Sequence, residues 1–311
     1  MSKESSQNVS EYDAYLFVHF VNPVENTADS EQVYFSVSKD GKNWITLNDE
    51  RPVLTSKLGE KGARDPYIIC SPSRDKFYVI ATDLSIYHHG DWSRAQKAGS
   101  QSIIVWESED LVNWSDQRLV KIAPETAGCT WAPEAFYAEE LDEFLVYWAS
   151  RTNFGADKQR IFCTRTKDFK TFSEPEVYIE EENHVIDTNI IEHNGSYFRF
   201  SKNENIASIT LEVSDSLFGE FTHINTNLAN VYGMEGPVCF KLKGEDKWCL
   251  LLDAYQKEGK YVPYYTTDLH SGQFTRGEDL NISVRAKHGG VIPITEDEYD
   301  VLMEFYGVDL I

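Results

Sequence analysis

The chain has 311 residues, 41% of them hydrophobic and 26% charged, which is enough apolar material for a sizeable core. Its formal net charge of −22 repels phosphate backbones and anionic lipid headgroups, so neither nucleic acid nor a membrane is an expected partner and a neutral ligand is. Aromatic residues reach 13%, which suits β-structure and also offers flat faces on which sugar rings stack.

The opening stretch MSKESSQNVSEYD is polar and lacks the apolar segment of an export signal, so residues 1–13 read as a flexible lead-in. No run approaches the roughly 18 apolar residues of a membrane span. The cysteines (Cys70, Cys129, Cys163, Cys239 and Cys249) are odd in number and lack metal-ligand spacing, so they read as free thiols. Together these features give the expectation of a cytoplasmic protein.

Short β-branched and aromatic runs then follow one another, separated by Gly, Asp and Asn. A turn signature punctuates them: SKDGKNW, SEDLVNW, TKDFKTF, SDSLFGEF and TDLHSGQF, closing on Trp44, Trp114, Phe172, Phe221 and Phe274. Each begins with Ser or Thr, carries an acidic residue and ends on an aromatic. The signature recurs roughly every 50–70 residues, the period of a β-propeller with several short strands per blade. Three strand-like runs precede each of the last four turns, but only AYLFVHF and EQVYFSVS precede the first. One orphan strand, GGVIPIT, follows the last turn. The fold class is therefore all-β: a five-bladed propeller, residues 1–311, closed by pairing the C-terminal inner strand with the N-terminal strands. Only TEDEYDVLMEFYG, residues 295–307, reads as a helix, with Thr295 as its cap.

Inner strands of a propeller surround a central channel, and their first residues converge on one face. Those positions read Asp65 in RDPYI, Trp131 and Ala132 in WAPEAF, Asp187 in IDTNII, Glu235 in MEGPVCF and His288 in KHGGVIPI. Gathering three carboxylates is costly because like charges raise one another's pKa. Acid/base chemistry uses such a set, since one group must hold a proton while another stays ionised.

The ordered stretches ARDPYII, WAPE, VIDTNII, MEGPVCF and KHGGVIPIT resemble glycoside hydrolase family 43 over roughly residues 14 to 298. The resemblance implies an inverting, exo-acting glycosidase that releases terminal L-arabinofuranose from arabino-oligosaccharides or arabinoxylo-oligosaccharides, or else a β-D-xylosidase. It implies Asp65 as general base, Glu235 as general acid and Asp187 as the carboxylate that orients the acid and tunes its pKa. His288 would lie beside or bind a channel calcium, although no cofactor is required for the chemistry. Trp131 would wall the pocket, and Arg285 would donate to a sugar hydroxyl. The chain departs from the pattern at Thr188, where many relatives carry proline.

The connections between second and third strands should lie on the face of the inner-strand starts. The longest, SIYHHGDWSRAQKAGSQ, would form a lid or wall with His88, His89, Trp92 and Arg94, and a closed rim favours removal of single terminal sugars. Family 32 fructosidases also use an RDP motif, but nothing like their earlier NDPNG strand precedes Arg64. A non-catalytic sugar-binding propeller is the alternative of another class, and the presence of all three carboxylates argues against it. The sequence carries no signal of oligomeric state.

Overall fold

The structure is a computed structural model that describes residues 12–152 and 156–307. The expected flexible lead-in therefore lies, but for its last two residues, outside the described residues, as do residues 153–155 of one rim connection.

The strand-like runs form five four-stranded antiparallel sheets. In blade 1 the inner strand Ala286–Ile294 pairs with Ala14–Val21, followed by Tyr34–Ser38 and Ile45–Thr46. The two chain ends thus close the ring as expected. Blade 2 runs through Ala63–Cys70, Phe77–Asp83, Ser102–Ser108 and Arg118–Lys121, from inside to outside. Blade 3 runs through Trp131–Ala138, Glu143–Thr152, Lys158–Thr166 and Glu176–Ile179. Blade 4 comprises Val185–His193, Ser196–Asn203, Ser208–Ser214 and Thr222–Ile224. Blade 5 comprises Glu235–Lys241, Trp248–Asp253, Tyr261–Thr266 and Thr275–Arg276.

Each blade is covered on both faces by its neighbours, which explains strands that are apolar at nearly every position rather than at alternate ones. Leu16 and Val18 face blade 2, whereas Tyr15 and Phe17 on the same strand face blade 5. The apolar core is accordingly divided into five clusters, one between each pair of adjacent blades. Each fully buried Leu, Val or Phe contributes about 1.5–3 kcal/mol.

The turn signature has a shared physical cause. Ser38 Oγ accepts from the Gly41 amide (2.9 Å), Asp40 Oδ1 accepts from the Lys42 and Asn43 amides (2.8 and 2.7 Å), and Trp44 Nε1 donates back to the Gly41 carbonyl (3.2 Å). Ser108, Asp110 and Trp114 repeat these bonds around Leu111, and Thr166 and Asp168 repeat the side-chain caps around Phe169. The residue at the bend is left-handed in all three, with φ of 71° at Gly41, 67° at Leu111 and 53° at Phe169.

The C-terminal helix Glu296–Tyr306 opens on a capping box between Thr295 and Glu298 and seats Leu302 against the core between blades 1 and 2. Two short helices absent from the sequence reading, Ile86–His89 and Trp92–Lys97, shape the long connection of blade 2. Ser85 and Asp91 cap them, and Gly90 takes the left-handed turn between them.

Candidate active site

Each inner strand of blades 2 to 5 opens with a bulge, and one residue of each bulge is left-handed: Asp65 (φ 48°), Ala132 (47°), Asp187 (50°) and Gly236 (53°). The side chains of Asp65 and Asp187 at these positions converge on His288. Asp65, Ala132 and Gly236 each precede a proline, and Thr188 stands where the fourth proline would be. Proline disfavours an α conformation in the residue before it, and a left-handed non-glycine residue is itself strained, so Asp65 is held against its local preference.

This register corrects the sequence reading at one carboxylate. Glu235 precedes the left-handed residue of blade 5 by one and is equivalent to Arg64, Trp131 and Ile186, not to Asp65 and Asp187. The channel position belongs to Gly236, where an added Cβ would lie 2.7 Å from His288 Cγ. The imidazole fills the space that a side chain would take.

His288 is buried at the centre of the mouth. Its Nδ1 lies 3.4 Å from Asp65 Oδ1 and 3.9 Å from Asp187 Oδ2. Burial would discharge the ring, but Asp187, Asp65 and Glu134 outweigh it and push its pKa up to about 9. Burial would likewise raise Asp65, yet the contact with His288, the positive charge of Arg64 and a hydrogen bond from Thr82 Oγ1 (3.0 Å) hold its carboxyl below the usual range. Thr82 Oγ1 in turn accepts from the Ala132 amide at 2.8 Å, tying blade 2 to blade 3. Asp187 goes the other way. Burial, with Glu235 and Asp65 nearby, pushes it up to about 6 despite His288 and Lys202. Its Oδ2 accepts from the Gly236 amide at 3.1 Å, which fixes the carboxylate against the strand bearing Glu235.

Glu235 is set between two lysines that the sequence reading did not single out. Lys202 Nζ donates to its Oε2 at 2.9 Å, and Lys287 Nζ lies 3.9 Å from its Oε1. Lys287 is paired more closely with Asp253, at 2.6 Å, and Asp253 faces Glu235 across the strand ladder. Burial pushes Asp253 up to about 6 against the pull of Lys287. Below the mouth, Glu134 of WAPE accepts from Asn189 Nδ2 (2.8 Å) and Tyr147 OH (3.2 Å). Burial pushes it up to about 8. The available sequence signal for these residues was a charge closing an apolar strand, as in KWCLLLD and YFRFSK.

At the rim, Trp131 meets Trp92 edge to face at 6.1 Å. The Arg64 guanidinium lies between the rings of Phe20 (4.5 Å) and Trp92 (5.3 Å) and pairs with Glu31 at 2.9 Å. Glu31 also accepts from Ser85 Oγ and from the amides of Ile86 and Tyr87, anchoring the first helix of the long connection. Arg285 is exposed just ahead of the strand carrying His288, and its carbonyl accepts from the Asn22 amide.

For a channel calcium, which takes six to eight oxygen donors, Asp65 and Asp187 would offer carboxylate oxygens, and His288 turns its Nδ1 to them at 3.4 and 3.9 Å. The imidazolium itself supplies positive charge in the channel. Among the described residues, Glu181, Glu212 and His223 are the group close enough to hold an ion. They lie toward the outer strand of blade 4, and Arg199 already pairs with Glu212 at 2.8 Å.

A family model described as "Probable glycosyl hydrolase domain", related to glycoside hydrolase family 43, matches residues 10–300. An α-L-arabinofuranosidase of Bifidobacterium longum is 34% identical over 198 residues, which are 58% of this chain and 18% of that protein; the chain thus spans less than a fifth of that relative. An α-L-arabinanase of Penicillium chrysogenum, solved with arabinobiose, superposes with a TM-score of 0.59 at 13% identity, covering 91% of this chain and 82% of that one. The catalytic domain of a Coprinopsis cinerea family 62 α-L-arabinofuranosidase gives a TM-score of 0.54 at 13% identity, over 75% and 72% of the two chains. At such identities the solved structures establish the shared propeller fold, and the family match over nearly the whole length places this chain in the family 43-related glycosyl hydrolases.

Proposed function

We propose that the protein is an inverting, exo-acting α-L-arabinofuranosidase that removes terminal L-arabinofuranose from short arabino- or arabinoxylo-oligosaccharides. The observation that carries the proposal is the split between two channel carboxylates that share one histidine. Asp65 is held ionised, while Asp187 is pushed up to about 6. Two titrating groups with opposed environments divide acid and base roles between them and their partners.

In this reading Asp65 accepts a proton from a water that attacks the anomeric carbon. Its fixed backbone and the Thr82 bond limit its freedom, and the His288 contact favours its ionised form. Glu235 protonates the departing glycosidic oxygen. Asp187, anchored on the Gly236 amide, holds the Glu235 strand in place and places negative charge beside it, which favours the protonated acid. Inversion requires room for water, with acid and base about 6.5–9.5 Å apart. The Trp92–Trp131 corner narrows the mouth and supports end-on entry of a chain terminus. The name of the Bifidobacterium relative supports the choice of arabinofuranose. All five thiols are free and four are buried, which supports a reducing compartment such as the cytoplasm.

A panel of aryl glycosides (α-L-arabinofuranoside, β-D-xyloside and β-D-galactoside) tests the reading. The arabinofuranoside should be cleaved fastest, and D65N should abolish that cleavage. A dominant xyloside activity would move the assignment to β-xylosidase, and sugar binding without hydrolysis would make the protein a lectin-like propeller.

A further inference from the structure

Lys202 is a lysine with 2% of its side chain exposed, near the end of the second strand of blade 4. Burying an ammonium is costly unless it is well paired. An ammonium carries three donors, and those of Lys202 are shared between groups of two different kinds. Its Nζ lies 2.9 Å from Glu235 Oε2, 2.6 Å from Glu204 Oε2 and 4.4 Å above the Tyr255 ring. Glu204 belongs to the rim connection after the strand, and its Oε2 is buried with no hydrogen-bond partner beyond this ion pair. One ammonium therefore bridges the candidate acid and a rim carboxylate.

We propose that Lys202 is a positioning residue that divides its charge between Glu235 and Glu204, and thereby sets both the orientation and the working pH range of the acid. The inference rests on the reading of Glu235 as that acid. Lys202 occupies Oε2, which leaves Oε1, 3.9 Å from Lys287 Nζ, as the oxygen that would carry the proton to the leaving group. The groups facing Glu235 are Lys202 and Asp187 from blade 4, Glu204 and Tyr255 from the rim, Asp253 from its own blade and Lys287 from blade 1; beyond Asp187 lie His288 and Asp65. The two lysines favour the ionised acid and the carboxylates favour the protonated one. Glu204 belongs with the carboxylates twice over, by its own charge and by drawing on that of Lys202. Burial would discharge Lys202, but Glu235, Asp187 and Glu204 raise its pKa and keep it a cation throughout.

Opposite signs follow for the two neighbours. In K202M the alkaline limb of kcat/KM should move up by about 1–2 pH units, with kcat at neutral pH reduced most for poor leaving groups. In E204Q the undivided charge falls on Glu235, and the same limb should move down by about 0.5–1 unit. K202R, which keeps the charge, should restore the limb to near its wild-type place. The test is the set of pH profiles for wild type, K202M, K202R, E204Q and E235Q on the aryl glycoside cleaved best, with folding checked by circular dichroism. If K202M does not fold, the sign of the E204Q shift decides, because Glu204 is a partly exposed rim residue. Loss of the alkaline limb in E235Q, with unmoved limbs in K202M and E204Q, overturns the role of Lys202 alone. An intact limb in E235Q overturns the reading of Glu235 and this proposal with it.

Discussion

The two sides of the mouth are built differently. On the Asp65 side, every restraint comes from strand positions: a left-handed bulge residue before Pro66, a buried imidazolium and the Thr82 hydroxyl. On the Glu235 side, the carboxylate is partly exposed and rests on lysines that have other acidic partners, Glu204 and Asp253. A base that must stay ionised is served by a fixed cation and a fixed backbone. An acid that must gain and lose a proton in each cycle is served by a charge balance that can shift. The contrast makes the first side rigid and the second tunable, and each prediction below bears on one side or the other.

Substitution at Asp65 should have the largest effect. D65N keeps the shape but removes the base, and hydrolysis should fall on the order of 10³-fold or more for every leaving group, measured as kcat/KM. E235Q should cost roughly 10²–10³-fold with a poor leaving group and much less with an activated aryl group that departs without a proton. A uniform loss in E235Q would erase the distinction between the two sides. H288N removes the cation that holds Asp65 ionised, so the acidic limb of the pH profile should rise by about 1 unit or more. W92A should raise KM several-fold with kcat little changed, since about 1 kcal/mol of aromatic contact is lost from the rim and the reacting groups are untouched.

The last effect concerns stability. Glu134 rises from 4.5 to about 8 on folding, and His288 from 6.5 to about 9. Both groups bind protons more tightly in the folded state. Their contributions are complete below the unfolded values and fade as pH climbs through the folded ones. The melting temperature should therefore decline between about pH 6.5 and 9, and E134Q, neutral at every pH, should flatten part of that slope. A melting temperature that rises over this range would contradict the assigned protonation states.

The propeller was legible because a repeated turn needs the same residues each time. In blades 1 to 3 a Ser or Thr, an acidic residue and a closing aromatic recur because the same side-chain caps and left-handed bend recur, whereas the fifth turn winds a short 3-10 helix on the same residue types. The unpaired strands at the two ends then gave the closure. Asp65 and Asp187 share one register at the strand starts, and His288, one position further along its own strand by the same count, still lies 3.4 and 3.9 Å from them. Glu235 was read one position out of register because a carboxylate was sought at each strand start. The better marker was the residue before proline, which aligns RDP, WAP and EGP on Asp65, Ala132 and Gly236. Glycine takes the left-handed bend in blade 5 because His288 leaves no room for a Cβ. Lys202, Lys287, Asp253 and Glu134 were not legible as a site, since their partners lie on other strands and other blades and no local pattern encodes those distances.

The account stands or falls on a base and an acid that act on opposite faces of the sugar, and the anomer first released reports this directly. Proton NMR during early turnover of an aryl α-L-arabinofuranoside by the wild-type protein should show β-L-arabinofuranose appearing first, before mutarotation. Appearance of the α-anomer first would require a covalent intermediate and would contradict the assignment of Asp65 as a base that activates water.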